Sequence, residues 1–164
     1  MIMKQKGIHI IIPGDRQYNL QADIQAGAET VFNAWTEESI VKQWWGPYRF
    51  TNPVCRVDAR TGGKLHIEMT APDGAVFPMK GIFHQVVPFT KLVFTSTAFE
   101  DHEGNELLEY LHIVTFEETH HKITRVMMQA EIMRCVPEVN CVMDGIREGW
   151  VQSFEKLEKL LRSH

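Results

Sequence analysis

Hydrophobic and polar positions follow two different periods in the first third of the chain. At residues 18–24 polar and apolar residues alternate, which predicts a strand with one buried face. The spacing then becomes helical, since Val31, Phe32 and Trp35 fall on one face of a short predicted helix. A second short helix is predicted at residues 38–44, before a glycine-proline stop.

The middle of the chain has the pattern of successive strands joined by short turns. The predicted strands cover residues 54–60, 64–71, 76–87, 91–99, 107–116 and 122–132. Turn residues separate them at 61–63, 72–74, 88–90, 103–105 and 118–121. Because short turns pair each strand with the next, the pattern predicts an antiparallel meander.

The last predicted element is a long helix over residues 138–161. Apolar residues recur at steps of three and four, which gives one continuous stripe that must pack on a sheet. The element order predicts an α+β helix-grip fold: a curved antiparallel sheet wrapped around the long C-terminal helix, with two short helices after the first main strand. We expect this domain to span residues 17–164. Residues 1–16 are predicted to be an N-terminal extension with one extra strand at 7–12.

Composition narrows the functional classes. The net charge of −4 and the scattered basic residues argue against nucleic-acid binding, which needs clustered Lys and Arg. The apolar stretch at residues 8–12 is too short for a signal peptide or a membrane span, so we expect a cytoplasmic location. Cys55, Cys135 and Cys141 form no CxxC pair and are expected to be reduced thiols.

No cofactor or metal is expected. His66, His84 and His112 lie on three separate predicted strands, and alternation places the first two outward and the third inward. No His/Cys spacing typical of a metal site occurs. Motifs for phosphate, dinucleotide or a nucleophilic serine are also absent from the sequence.

Several short motifs, in a fixed order, carry a resemblance to a known family. They are Ala34-Trp35-Thr36, Gln43-Trp44-Trp45-Gly46-Pro47, residues 57–63, Pro72-Asp73-Gly74, residues 81–88, 91–95 and 114–117, and Gly149-Trp150. Over residues 18–161 the chain resembles the SRPBCC superfamily (the birch-pollen-allergen and steroidogenic lipid-transfer group). Within it, the chain is similar to homologues of the activator of heat-shock chaperone ATPase. The resemblance implies a cavity between sheet and helix that binds lipids, polyketides or other small hydrophobic molecules.

The inward faces of the predicted elements supply candidate lining residues for that cavity. They are Leu65, Ile67, Met69, Met79, Phe83, Phe94, Ser96, Tyr110, His112, Val142, Met143, Ile146 and Trp150. Aliphatic, aromatic and methionine side chains with a few polar groups are typical of small-molecule pockets. A dry core has the same composition, so both interpretations stay open.

Other hypotheses stand beside simple ligand binding, most of them drawn from particular residues. Tyr110 and His112 could act as an acid-base pair of a cyclase- or hydrolase-like enzyme, although a hydrogen-bonded polar pair in the core is favoured. Arg125 could hold a ligand carboxylate if it points inward, and is only a surface charge if it points outward. The family resemblance alone suggests a chaperone-associated regulator. A homodimer through a sheet edge and strand aromatics such as Phe99 is a further hypothesis.

Packing roles are predicted for the remaining motif residues. Trp35, Trp44 and Trp45 are expected to seat the two short helices on the sheet. Asp58 and Arg60 are expected to form a structural ion pair on one strand rather than to act in catalysis. Gly62-Gly63 should permit a positive φ, and Gly149 should allow close approach of the last helix to the sheet.

Overall fold

The sheet contains every strand that the structure describes. The computed structural model describes the backbone of residues 2–5, 8–14, 16–136 and 143–162, and the side chains of residues 16–136 and 145–162. The strands are β1 (Ile2–Gln5), β2 (Ile8–Gly14), β3 (Gln17–Ile24), β4 (Thr51–Val57), β5 (Lys64–Thr70), β6 (Val76–Val87), β7 (Lys91–Glu100), β8 (Glu106–His120) and β9 (Ile123–Cys135). They pair antiparallel in the order β1-β2-β3-β9-β8-β7-β6-β5-β4.

The helices complete the predicted α+β helix-grip fold, which is confirmed. They are α1 (Ala28–Thr36), α2 (Glu38–Trp44) and α3 (Met143–Arg162). The α3 stripe of Trp150, Phe154, Leu157 and Leu161 is buried against the rest of the domain. The predicted first turns of this helix, including Val139 and Val142, lie outside the described residues. None of the described helices has the length and apolar character needed to cross a bilayer.

Four tryptophan rings join the helices. Two of them also contact the sheet, in agreement with the prediction: Trp35 meets Phe116 at 6.1 Å and Trp45 meets Phe94 at 6.4 Å. Trp35 packs on Trp44 and is stacked on Trp150, with ring centroids 4.8 Å and 6.0 Å apart. Trp45 meets Trp150 edge-on at 4.9 Å. The Trp44 indole donates to the Ala34 carbonyl at 2.8 Å, which locks α2 against α1. Such aromatic contacts place α1, α2 and α3 in one core.

Among the strand ends that differ from prediction, those of β8 and β4 lie beside side chains with specific partners. Strand β8 continues to His120, where a turn at 118–121 was predicted, and Glu118 there accepts a hydrogen bond from the Ala28 amide at 2.8 Å, which caps α1. Strand β4 ends at Val57 rather than residue 60. Asp58 and Arg60 therefore lie in the following loop, where their predicted ion pair is present at 2.8 Å.

The N-terminal strands extend the sheet beyond β3. The extra strand predicted at residues 7–12 is β2, and β1 was not predicted from the sequence. Both pair in sequence order, β1 with β2 and β2 with β3. The division of the chain at residue 16 stays a prediction.

Glycines occupy two kinds of restricted position. Gly62 has a φ of +84°, as predicted for this turn, and a Cβ on Gly63 would lie 1.8 Å from the Asp58 carbonyl oxygen. The prediction for Gly149 was wrong about the neighbour. A Cβ there would meet Pro47 Cγ at 3.4 Å, so this glycine faces the loop after α2 instead of the sheet.

Candidate functional site

A pocket of about 340 Å³ lies between the sheet and the N-terminal half of α3. Strands β5 to β8 supply its floor, α3 supplies one wall, and the loop between α2 and β4 supplies another. It is partly open, intermediate between an enclosed cavity and a surface cleft. Aromatic, proline and methionine side chains make up most of the lining.

Six of the predicted candidates line this pocket. They are Met69, Met79, Ser96, Tyr110, Ile146 and Trp150. Strand alternation identified the first four, whose positions face α3, and the apolar stripe of α3 identified Ile146 and Trp150. Their role in binding a ligand stays a prediction.

Five other candidates do not line the pocket. They are Leu65, Ile67, Phe83, Phe94 and His112, each no more than 3% exposed. These side chains fill the core beside the pocket, because the inward face of the sheet is longer than the pocket itself. Val142 lies outside the described residues. Met143 begins α3, and its side chain is also outside the described set.

Most of the remaining lining was missed because it comes from loops and sheet margins. The missed residues are Trp45, Gly46, Pro47, Phe50, Phe77, Pro78, Ala98, Phe99, Gly145, Gly149 and Ser153. Phe50 and Phe77 lie with their rings 6.0 Å apart, which joins the loop to β6. Alternation could have found Phe77, since it shares the face of Met79, but no strand pattern identifies a loop.

Ser96 brings a polar group into this lining. Its Oγ lies 2.8 Å from His112 Nε2, and Ser96 is only 4% exposed. Ser96 is directly opposite Tyr110 in the β7–β8 ladder, so His112 is its diagonal neighbour. The predicted inward position of His112 is correct, but its partner is Ser96. The favoured prediction of a hydrogen bond between Tyr110 and His112 was wrong. Their rings are in contact, with centroids 5.7 Å apart, but His112 bonds to Ser96 instead.

The surroundings of His112 disfavour a charged imidazole. Phe94 stacks on the ring at a centroid distance of 4.7 Å, and Trp150 lies 5.3 Å away. Burial lowers the pKa of His112 to about 3, because the apolar surroundings disfavour the charged form. The Nδ1 atom has no hydrogen-bond partner among the described residues. His112 is therefore neutral at physiological pH.

Side chains of α3 hold the loop that forms one wall of the pocket. Ser153 Oγ accepts from the Gly46 amide at 2.9 Å and donates toward the Gly46 and Gly149 carbonyls. Lys156 Nζ donates to the carbonyls of Trp45, Gly46 and Pro47 at 3.0 to 3.4 Å. Burial lowers the pKa of Lys156. Both side chains fix the position of residues 45–47 relative to α3.

A family model described as "Activator of Hsp90 ATPase homolog 1-like protein" matches residues 25–162. The chain belongs to this family. Membership in the Hsp90-activator-like family confirms the resemblance and agrees with the helix-grip fold. No protein with a curated description matches the chain significantly.

Solved structures of bacterial proteins share the fold of this family member. A Rhodobacter sphaeroides protein is 16% identical with a TM-score of 0.79, covering 96% of this chain and 99% of its own. The AHSA1 protein of Silicibacter pomeroyi is 21% identical with a TM-score of 0.74, covering 90% and 99%. A Nitrosomonas europaea protein is 24% identical with a TM-score of 0.75, covering 93% and 97%. At these identities the likeness concerns the fold alone.

The other residues that were considered for a chemical role lie away from the pocket of this Hsp90-activator-like domain. Arg125 points outward and pairs with Asp23 on β3 at 3.0 Å, so of the two alternatives for this residue the structure favours the surface charge. His66 and His84 also face outward, as predicted. Among the described side chains, no three His, Cys, Asp or Glu residues are grouped as a metal site would need.

The burial of two further side chains, Phe99 and Cys55, decides how they are interpreted. Phe99 is partly buried against the core and lines the pocket, so it is not the exposed strand aromatic that the dimer hypothesis used. Cys55 is buried, and burial raises the pKa of its thiol to about 11, which keeps the sulfur protonated and unreactive. Cys141 lies outside the described residues.

Proposed function

We propose that this protein binds a small hydrophobic molecule between the sheet and α3. The observation that carries the proposal is the pocket of about 340 Å³ with its largely apolar lining. Small-molecule pockets typically measure about 300–1,000 Å³ and combine apolar walls with a few polar groups. Transfer of a ligand from water to such walls contributes roughly 25 cal/mol for each Å² of apolar surface buried.

The side chains that form the pocket walls favour ligand binding over simple packing of a dry core. A core closes around its side chains at crystal-like density, and gaps larger than a water molecule are few. Here Met69, Met79 and Ile146 line open space. Methionine adapts to ligands of different shape, because its side chain is unbranched and flexible.

A titration with N-phenyl-1-naphthylamine tests the proposal. This dye is apolar, carries no oxygen, and fluoresces strongly after leaving water. We expect saturable binding at one site per chain, together with a change in tryptophan emission, because Trp45 and Trp150 line the pocket. Absence of saturable binding would contradict the proposal.

A filled-pocket variant supplies the matched comparison. Ala98 lines the pocket, whereas the side chain of Thr97, the preceding residue of the same strand, points to the opposite face of the sheet. Ala98→Phe should weaken dye binding by at least about tenfold, since overpacking costs about 1–3 kcal/mol. Thr97→Phe adds the same ring on the other face and should leave the dye affinity within about twofold. Equal effects of both substitutions would place the dye elsewhere.

The alternative functions have less support. A hydrolase- or cyclase-like enzyme would need a base that accepts a proton near neutral pH, and the lowered pKa of His112 opposes that role. A chaperone-associated regulator rests on the family description alone. A homodimer and a cytoplasmic location stay predictions.

A further inference from the structure

Ser96 is a pocket-lining residue whose hydroxyl has hydrogen-bonding capacity that its protein partner leaves unused. Its hydroxyl carries one donor and two acceptor positions. Among the described residues, its Oγ has a single hydrogen-bond partner, His112 Nε2 at 2.8 Å. Ser96 lines the pocket, so the remaining capacity can meet a ligand there.

The ring nitrogen of neutral His112 that carries the proton decides whether Ser96 keeps a donor or only acceptor positions for a ligand. If Nε2 accepted from Ser96, Nδ1 would carry a buried N–H without an acceptor among the described residues. If Nε2 donates to Ser96, Nδ1 carries only a lone pair. Buried N–H groups without partners are rarer in proteins than under-satisfied acceptors. The proton is therefore assigned to Nε2, and the Ser96 O–H is left as a donor.

The other serine of the pocket has no such capacity. Ser153 Oγ accepts from the Gly46 amide and donates its single proton toward the Gly149 and Gly46 carbonyls, at 2.8 Å and 3.1 Å. Its donor is therefore already satisfied by the backbone. Ser96 is also held more firmly than an isolated serine, because His112 is enclosed by Phe94 and Trp150.

A neutral oxygen suits this donor better than a charged one. The described residues that line the pocket include no Lys or Arg, and Lys156 Nζ is engaged by three backbone carbonyls. Burial of a carboxylate without a cation is costly. A ketone or ester carbonyl accepts one hydrogen bond without bringing a charge into the pocket.

We propose that Ser96, oriented by His112, is the polar anchor of the pocket and donates its hydroxyl proton to a carbonyl oxygen of a hydrophobic ketone or ester. The inference rests on the proposed function and narrows its ligand class. Discrimination arises because the carbonyl satisfies Ser96, whereas a pure hydrocarbon would leave the donor buried without a partner.

Two isosteric competitors test the anchor. The dye N-phenyl-1-naphthylamine first occupies the pocket, and it is then displaced by 2-acetylnaphthalene or by 2-isopropenylnaphthalene, in which CH₂ replaces the carbonyl oxygen. We expect the wild-type protein to prefer the ketone by roughly two- to tenfold beyond their difference in water-to-octanol transfer. Ser96→Ala should abolish this excess while dye affinity stays within about twofold.

Control variants separate the anchor from packing. Ser96→Thr keeps the hydroxyl and should keep the ketone preference. Thr95→Val removes a hydroxyl on the opposite face of β7, outside the pocket lining, and should also keep it. Infrared spectroscopy adds a measurement that needs no variant: the carbonyl stretch of bound 2-acetylnaphthalene should lie below its value in hexane.

The outcomes distinguish the two proposals. Saturable dye binding without a ketone preference, or a preference that survives in Ser96→Ala, would overturn the anchor while leaving the binding function intact. An unshifted carbonyl stretch in wild-type protein would overturn it too, even if Ser96→Ala does not fold. Failure of the dye and both naphthalenes to bind would overturn both proposals.

Discussion

At the scale of single residues, His112 combines complete burial with a group that can be charged. Its ring lies among Phe94, Tyr110 and Trp150, and only Ser96 meets it with a hydrogen bond among the described residues. A neutral ring serves this position, because an imidazolium there would lose its hydration and would meet no carboxylate from the part of the chain that the structure describes. The same burial that makes His112 a poor base makes it a fixed support for Ser96.

The lowered pKa of His112 predicts a pH-dependent stability. Its value is about 3 in the folded protein and about 6.5 unfolded, so between these pH values only the unfolded chain takes up the proton. The free energy of unfolding should therefore fall by about 2 kcal/mol from this site as pH drops from 7.5 to 5. In His112→Gln this part of the decrease should be missing, as measured by urea unfolding at both pH values.

A core variant that does not titrate separates this effect from general destabilisation. Leu92 is fully buried on β7, on the face shared with Phe94 and Ser96. Leu92→Ala should lower stability by about 2–5 kcal/mol at both pH values and preserve the wild-type difference between them. A wild-type difference that persists in His112→Gln would show that His112 does not cause it.

At the scale of elements, the segment after α2 is positioned by α3. The helix supplies Ser153 and Lys156 to backbone groups of residues 45–47, which form one wall of the pocket. Asn52 supports the same segment by donating to the Trp45 carbonyl at 2.8 Å. Helix ends leave backbone groups without intrahelical partners, and these side chains satisfy them. The pocket wall therefore depends on hydrogen bonds between elements that are distant in sequence.

Removal of the Ser153 hydroxyl should loosen this wall. Ser153→Ala leaves the buried Gly46 amide without its acceptor, so we expect a loss of about 1–3 kcal/mol in unfolding free energy and weaker dye binding. Ser39→Ala is the matched control, because Ser39 is exposed on α2 and should change stability by less than about 0.5 kcal/mol. Chemical denaturation and dye titration of both variants check this. Unchanged stability in Ser153→Ala would refute the support role.

At the scale of the whole molecule, sequence patterns predicted the architecture better than the site. Alternation and helical spacing gave the meander, α1, α2 and the buried α3 stripe, because burial of one face leaves a periodic trace. The position of the pocket leaves no such trace. It depends on strand register, which sets Ser96 diagonal to His112, and on the loop around Gly46, whose conformation is fixed by Ser153. Phe94 and Met79 share an inward direction, yet only Met79 lines the pocket.

The division between residues 1–16 and the remaining domain predicts that the pocket survives without the first two strands. In the sheet order, β3 and β9 separate β2 from β8, which is the nearest strand of the pocket floor. Deletion of residues 1–16 should therefore leave dye affinity within about twofold. Stability should decrease, because β2 also contacts α3, and each kcal/mol lost lowers Tm by roughly 2–4 °C.

Exposure of β3 as a new sheet edge should also increase self-association of the truncated protein. Differential scanning calorimetry, light scattering and dye titration of the full-length and truncated chains measure these effects. A truncated chain that unfolds without a cooperative transition, or that no longer binds the dye, would contradict the division. In that case the first two strands belong to the folding unit that forms the pocket. They are distant from the pocket in the sheet, so their removal could affect it only by disrupting the core that both share.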